Sequence, residues 1–261
     1  MKMFSKIFLC MAAISALLLT SCPNPENDGP PVSFGETLKL KNQQVWTSQA
    51  SLTGFTEEKL ASDLDVFDAG LGGKGGIVKG ILNYTVGKPV SLEPLTADFF
   101  SGITEDRLFS DFSITQNVKA QTLALSTANS SQDEDALFFG NRSFNYNLKE
   151  MKITGSIDAA VYIYVDKDAV ISASGSSVKE GELSLSAQDI KLKLKKGWNI
   201  VSVKSSFTFN IPLSWFLEPP NIADMDIEEI FKLLSGTVNI KMEVGYPADA
   251  KWILGGGMGL F

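Results

Sequence analysis

Tyr162 and Tyr164 stand two apart in Val161-Tyr162-Ile163-Tyr164-Val165, a spacing that puts both phenols on one face of a strand and three aliphatic side chains on the other. Two roles fit that pattern. The strand is buried on both sides, with the hydroxyls reaching partners or water, or the tyrosines form a platform that stacks on a sugar ring or lines a hydrophobic pocket. Trp198, after Lys195-Lys196-Gly197, is expected in the core. Trp215, in the irregular stretch PLSWFLEPP, is expected nearer the surface and joins Tyr162 and Tyr164 as a candidate ligand-binding residue.

Other motifs carry less chemistry than their letters suggest. Gly70-Leu-Gly-Gly-Lys-Gly75 spells GxGxxG, but a helix is expected before it and a strand after it, the reverse of a phosphate-binding turn. Lys74 is followed by Gly75 rather than Ser or Thr, so it is no Walker loop either. Ser176-Ser177-Val178-Lys179 matches S-x-x-K, yet the chain has no KTG box and Ser176 falls in a turn between strands. The pairs Asp133/Asp135 and Asp166/Asp168 supply carboxylates without showing them held across a substrate, and Asp133-Glu134-Asp135 lacks EF-hand spacing. The 261 residues include no histidine, which excludes triads and imidazole metal sites, and two cysteines, too few for a thiolate zinc site or a disulfide framework. No catalytic residue, metal ligand or cofactor is therefore assigned, and the chain is expected not to be an enzyme. A net charge of −7 with two arginines, Arg107 and Arg142, also speaks against nucleic acid as a partner.

The N-terminus is more specific. Lys2 and Lys6 precede an apolar run from Ile7 to Leu19, too short for a bilayer span but suited to a secretion leader. Leu19-Thr20-Ser21-Cys22 then resembles the lipobox of bacterial lipoproteins. The resemblance implies diacylglycerol on the Cys22 sulfur, cleavage before Cys22, acylation of the new amino group and attachment to a membrane through those chains. Several acyl chains hold a soluble domain stably where one holds it marginally. Residues 1–21 are thus read as a signal peptide. Their loss takes Lys2, Lys6 and Cys10 away, shifts the charge to −9 and leaves Cys22 as the only cysteine, so the domain is stabilised by its core. Residues 22–34 form the lipidated cysteine and a proline-rich tether (PNPENDGPP over 23–31). Pro23 in place of Asp after Cys22 lacks the enterobacterial inner-membrane retention signal, which favours the outer membrane.

Residues 35–261 read as one β-rich domain. Period-two patterning marks Thr37–Lys41, Val45–Ser48 returning after Asn42-Gln43, Ile77–Val86, Val118–Ser126, Lys152–Val165, Ala169–Ala173, Leu183–Leu194, Trp198–Asn210, Gly236–Gly245 and Lys251–Leu254. In Ile190–Lys195 lysines alternate with aliphatic residues, as on an antiparallel sheet wet on one side. Two helices are expected, Asp226–Leu234 behind an Asp-x-x-Glu start and Glu57–Phe67 with a Leu60/Leu64/Phe67 stripe. The chain's glycine-rich end, LGGGMGLF, lacks the alternating apolar residues that end outer-membrane barrels.

These features point to an antiparallel β-sandwich or barrel-like roll with one or two short helices. The function they imply is that of a non-enzymatic envelope lipoprotein binding a small ligand, glycan or protein. The alternative is a carrier of lipid or another small hydrophobic ligand in a lipocalin-like cavity. A carboxylate hydrolase would need converging buried acids in a cleft.

Overall fold

The computed structural model describes residues 33–51, 54–68, 70–96, 108–128, 134–147, 149–210 and 235–254. Among these residues every regular element is a strand: β1 Ser33–Gly35, β2 Leu38–Ser51, β3 Gly54–Lys59, β4 Leu64–Asp68, β5 Lys74–Val78, β6 Ile81–Val86, β7 Glu93–Pro94, β8 Phe109–Ile114, β9 Lys119–Leu123 and β10 Leu125–Ala128. The second half adds β11 Glu134–Asn147, β12 Lys152–Val165, β13 Ala169–Gly175, β14 Ser177–Glu180, β15 Leu183–Ala187, β16 Ile190–Leu194, β17 Gly197–Asn210, β18 Ser235–Val244 and β19 Lys251–Leu254. The mainly β expectation holds.

The spine is β11-β12-β17-β18, antiparallel throughout, in which β12 pairs with β17 along its whole length from Lys152↔Asn210 to Val165↔Gly197. Alternation then divides the β17 side chains between two cores. Val201, Val203, Phe207 and Phe209 face one, shared with the small sheet β16-β13-β8, whereas Trp198 and Ile200 face the other. The second core is enclosed by hydrogen bonds. From β10 the path runs β4-β5-β6-β2-β19-β11, and β11 pairs back with β10, closing a ring. Leu38, Val66, Ile77, Leu82, Leu125, Phe139 and Trp252 from the ring strands meet in that core with Tyr162 and Tyr164.

Several local expectations are corrected. Glu57–Phe67 is not a helix but β3 and β4. Val66 is the buried residue there and Phe67 is 47% exposed, so the stripe never forms one apolar face, and pairing of β3 along β2 overrides helix propensity. Val45–Ser48 does not fold back on 37–41. Asn42 takes a positive φ of 52° and the register slips between Leu40 and Gln43, so β2 continues through a bulge. Ile77–Val86 is a hairpin turning at Lys79-Gly80, and Leu183–Leu194 breaks at Gln188-Asp189, sending β15 to the large sheet and β16 to the small one. Lys152–Val165 and Lys251–Leu254 have the expected bounds. The expected helix at Asp226–Leu234 and the glycine-rich end lie outside the described residues.

Candidate functional site

Along β12 the even-numbered residues present a graded face. Thr154 is exposed and Ser156 and Asp158 are partly so, Ala160 packs at the edge of the second core, and Tyr162 and Tyr164 are 3% and 0% exposed. The change follows from coverage. Only the C-terminal half of the strand has the ring's aromatic core against this face, while the odd-numbered face is covered from Ile153 to Val165. The two tyrosines share a face as expected, but that face is interior. Tyr162 lies parallel to Trp252 (centroids 6.3 Å, planes 2°) and stacks with Phe139 at 6.0 Å, and Tyr164 meets Trp198 edge-on at 5.6 Å. Neither can serve as an exposed platform. Burial pushes the Tyr164 phenol up, with Glu36 and Asp166 adding to it, and its hydroxyl has no partner among the described residues. Trp215 and Cys22 lie outside the described residues.

An aromatic at the edge of this core that does reach solvent is Tyr246, 49% exposed in the turn after β18. Its ring stands edge-on to Phe139 (6.0 Å, 88°) and to Phe34 (6.3 Å, 83°), and its phenol interacts with that of Tyr162. Burial raises both phenols; the neighbouring Tyr246 raises Tyr162 further, whereas Tyr162 moderates the rise at Tyr246. Gly245 N–H donates to Ile200 O (3.0 Å) and fixes the turn's entry. The signal that could have found this residue is an aromatic held between Gly245 and Pro247 at a strand end.

Next to it lies a charged strip. Asp158 pairs in register with Lys204 and Lys204 with Lys241, while Glu243 is three residues before Tyr246. Glu243 takes Lys204 on Oε1 (2.5 Å) and Lys241 on Oε2 (3.0 Å), its side chain only 11% exposed. Burial pushes its carboxyl up, but the two ammonium groups outweigh that and hold it below the usual range. Asp158 goes the other way: burial raises it, Lys204 opposes, and Glu243 adds to the rise. The acids thus have opposite environments around one lysine. Side by side they form a strip that offers acceptors and ammonium donors beside an aromatic edge, suited to the hydroxyls and ring face of a sugar-like ligand.

A second cluster sits outside the ring. Lys251 bonds Glu57 Oε2 at 2.6 Å and lies over Trp46 at 5.0 Å, with Lys59 over the same ring at 5.7 Å. Arg142, 7% exposed, is pulled down to about 10 by burial against the opposing effect of Glu57. These pairs tie β3 to β11 and β19.

The remaining motifs fold into structure. The amides of Leu71, Gly72 and Gly73 converge as they would on a phosphate, but they donate to Asp68 at 2.8, 3.2 and 2.6 Å, and Tyr84 Oη joins them at 2.9 Å. The GxGxxG turn is filled by its own carboxylate. Ser176 and Lys179 lie on extended chain, where residues three apart face opposite ways, so the lysine does not activate that serine. Asp166 caps Lys119 N–H at 2.8 Å and Asp168 pairs with Lys195 at 2.7 Å, both as turn fixtures. Asp133 is outside the described residues, and no group of three metal-ligating side chains occurs among the described ones. Compared with protein-family models, curated proteins and solved structures, the chain has no match.

Proposed function

We propose that this protein is a lipid-anchored binding module of the bacterial envelope. Cys22 carries the acyl chains, and the ligand face is Tyr246 with Asp158, Lys204, Lys241 and Glu243. The observation that carries the reading is the half-exposed Tyr246 ring, held by Phe34, Phe139 and Tyr162 beside a strip of charge. An aromatic fixed before its ligand arrives loses little freedom on binding. The ligand class it favours is a glycan. A protein partner would use the same face. The lipid-carrier alternative gains less support, because Tyr162, Tyr164, Trp198 and Trp252 fill the ring's interior with one another.

Two measurements test the two halves of this reading. Intact mass of the membrane-extracted protein reads acyl groups on Cys22, and Cys22→Ala should move the protein to the soluble fraction; an unacylated wild type would sink the anchor. Titration with a panel of envelope saccharides, followed by heteronuclear NMR, should perturb Tyr246 and the Glu243 strip. Binding that survives Tyr246→Ala unchanged would reject this face.

A further inference from the structure

The fold fixes which end of the domain the N-terminal chain enters. Ser33 pairs with Asn199 and Gly35 with Trp198, so β1 occupies the edge of β17 just beyond the point where β18 stops at Val244↔Val201. Trp198 then ties this end to a loop far away in sequence, its Nε1–H donating to Gly87 O at 3.0 Å. From Gly87 the chain runs through Lys88, Pro89 and Val90 before β7 pairs with β9 at Glu93↔Ala120. Pro89 is buried, whereas Val90 is 91% exposed, the most exposed large apolar side chain among the described residues. Nothing in the packing of the described residues accounts for a valine held out on a proline-anchored loop.

The surroundings match a headgroup layer. Lys88, Lys119, Lys167, Lys195 and Lys196 flank this end against Glu36, Glu93, Asp166 and Asp168, so it is close to neutral in a chain of net charge −7. An anionic surface therefore repels this end less than the net charge of the whole chain implies, and long lysine stems reach phosphates readily. Val170, 48% exposed just past the Asp168 turn, adds a second apolar side chain. Ten residues lie between Cys22 and Ser33, making eleven steps along the chain. Fully extended they reach about 36–40 Å, so an acylated Cys22 keeps the β1 end within that distance of the bilayer.

We infer that this end is a membrane-contact surface, with Val90 entering the headgroup region of the lipid layer that holds Cys22. The inference rests on the lipid-anchored reading above. The far end supplies an internal control, since Val78, 58% exposed at the β5–β6 turn, lies at the other end of β6 from Gly87.

The test uses the full acylated protein in phosphatidylethanolamine–phosphatidylglycerol vesicles. Cys22 is the only other cysteine after processing and its sulfur is blocked, so Val90→Cys and Val78→Cys each take one polarity-sensitive fluorophore. The Val90→Cys probe should shift to the blue and lose emission when the vesicles carry a headgroup-region nitroxide lipid. The Val78→Cys probe should do neither. Equal quenching at both positions, or none at Val90→Cys in an acylated protein, overturns the contact surface alone. Absence of acyl mass on Cys22 overturns the anchor and the contact surface together.

Discussion

Tyr162 and Tyr246 interact through their phenol groups, linking a ring 3% exposed to one that is half in water. Phe139 lies against both rings, so the buried aromatic layer reaches the half-exposed one. Tyr162→Phe removes one hydroxyl of the pair and leaves the half-exposed Tyr246 hydroxyl to water, so stability should fall by no more than about 0.5–1.5 kcal/mol. Ligand affinity should weaken several-fold because Tyr246 gains freedom, and the pairing of a small stability loss in urea unfolding with a measurable loss in binding is the expected signature. A variant that binds as wild type would show that the ring needs no such hold.

Acid should act on Asp158 and Glu243 in opposite senses. Glu243 is held below its unfolded value, so its contribution is complete above the ordinary glutamate range near 4.3 and is lost as the pH falls through the folded value. Asp158 is raised, so its ionisation costs stability as the pH climbs from near 3.9 to its folded value. Urea unfolding of Glu243→Gln should lose about 1–3 kcal/mol near pH 7 and a smaller further amount on acidification than wild type. Asp158→Asn should be at least as stable as wild type at pH 7. A steeper acid loss in Glu243→Gln would contradict the assignment.

Asp68 closes the glycine turn by accepting three amides and the Tyr84 hydroxyl. Asp68→Ala strands these donors and should cost about 2–3 kcal/mol, which for a domain of this size lowers Tm by roughly 4–12 °C. Tyr84→Phe removes one partner and should cost about 1 kcal/mol. Calorimetry of both variants checks the order, and phosphate addition should not rescue Asp68→Ala if the turn is purely structural.

Gly197 has φ +102° and lies so close to β1 that an added Cβ would stand 2.2 Å from Gly35 O. Gly197→Ala should therefore cost about 1–3 kcal/mol in backbone strain and displace β1. Limited proteolysis should cut between residues 33 and 37 faster than in wild type, and Trp198 emission should report the loosened end. Unchanged cleavage would mean that β1 is held elsewhere.

What could be read from the chain itself was whatever period two determines. Lys152–Val165 was legible to the residue because its alternation is unbroken and both faces are covered at one end, where Tyr162 to Val165 are all buried. Trp198 was legible as core for the same reason. Glu57–Phe67 misled because charge followed by spaced leucines reads as a helix, and only the neighbouring edge of β2 makes it extended. The site was less legible. Tyr162 and Tyr164 read as an aromatic pair, yet the ring that covers them is assembled from β2, β6, β11 and β19, strands remote in sequence. Tyr246 matters through contacts with Phe34 and Phe139 that no local pattern encodes, and the Lys204–Glu243–Lys241 strip depends on the register of β17 with β18.

β10 hydrogen-bonds both β4 and β11, so each strand of the ring has a neighbour on either side. Beyond the ring, the large sheet ends at β14, four residues long and bearing the exposed Lys179, and the small sheet carries Lys191 and Lys193 along β16. Unpaired strand edges are where β proteins join one another, and short or lysine-bearing edges discourage that. Copies of this chain brought close together can therefore stay separate molecules rather than join sheet to sheet.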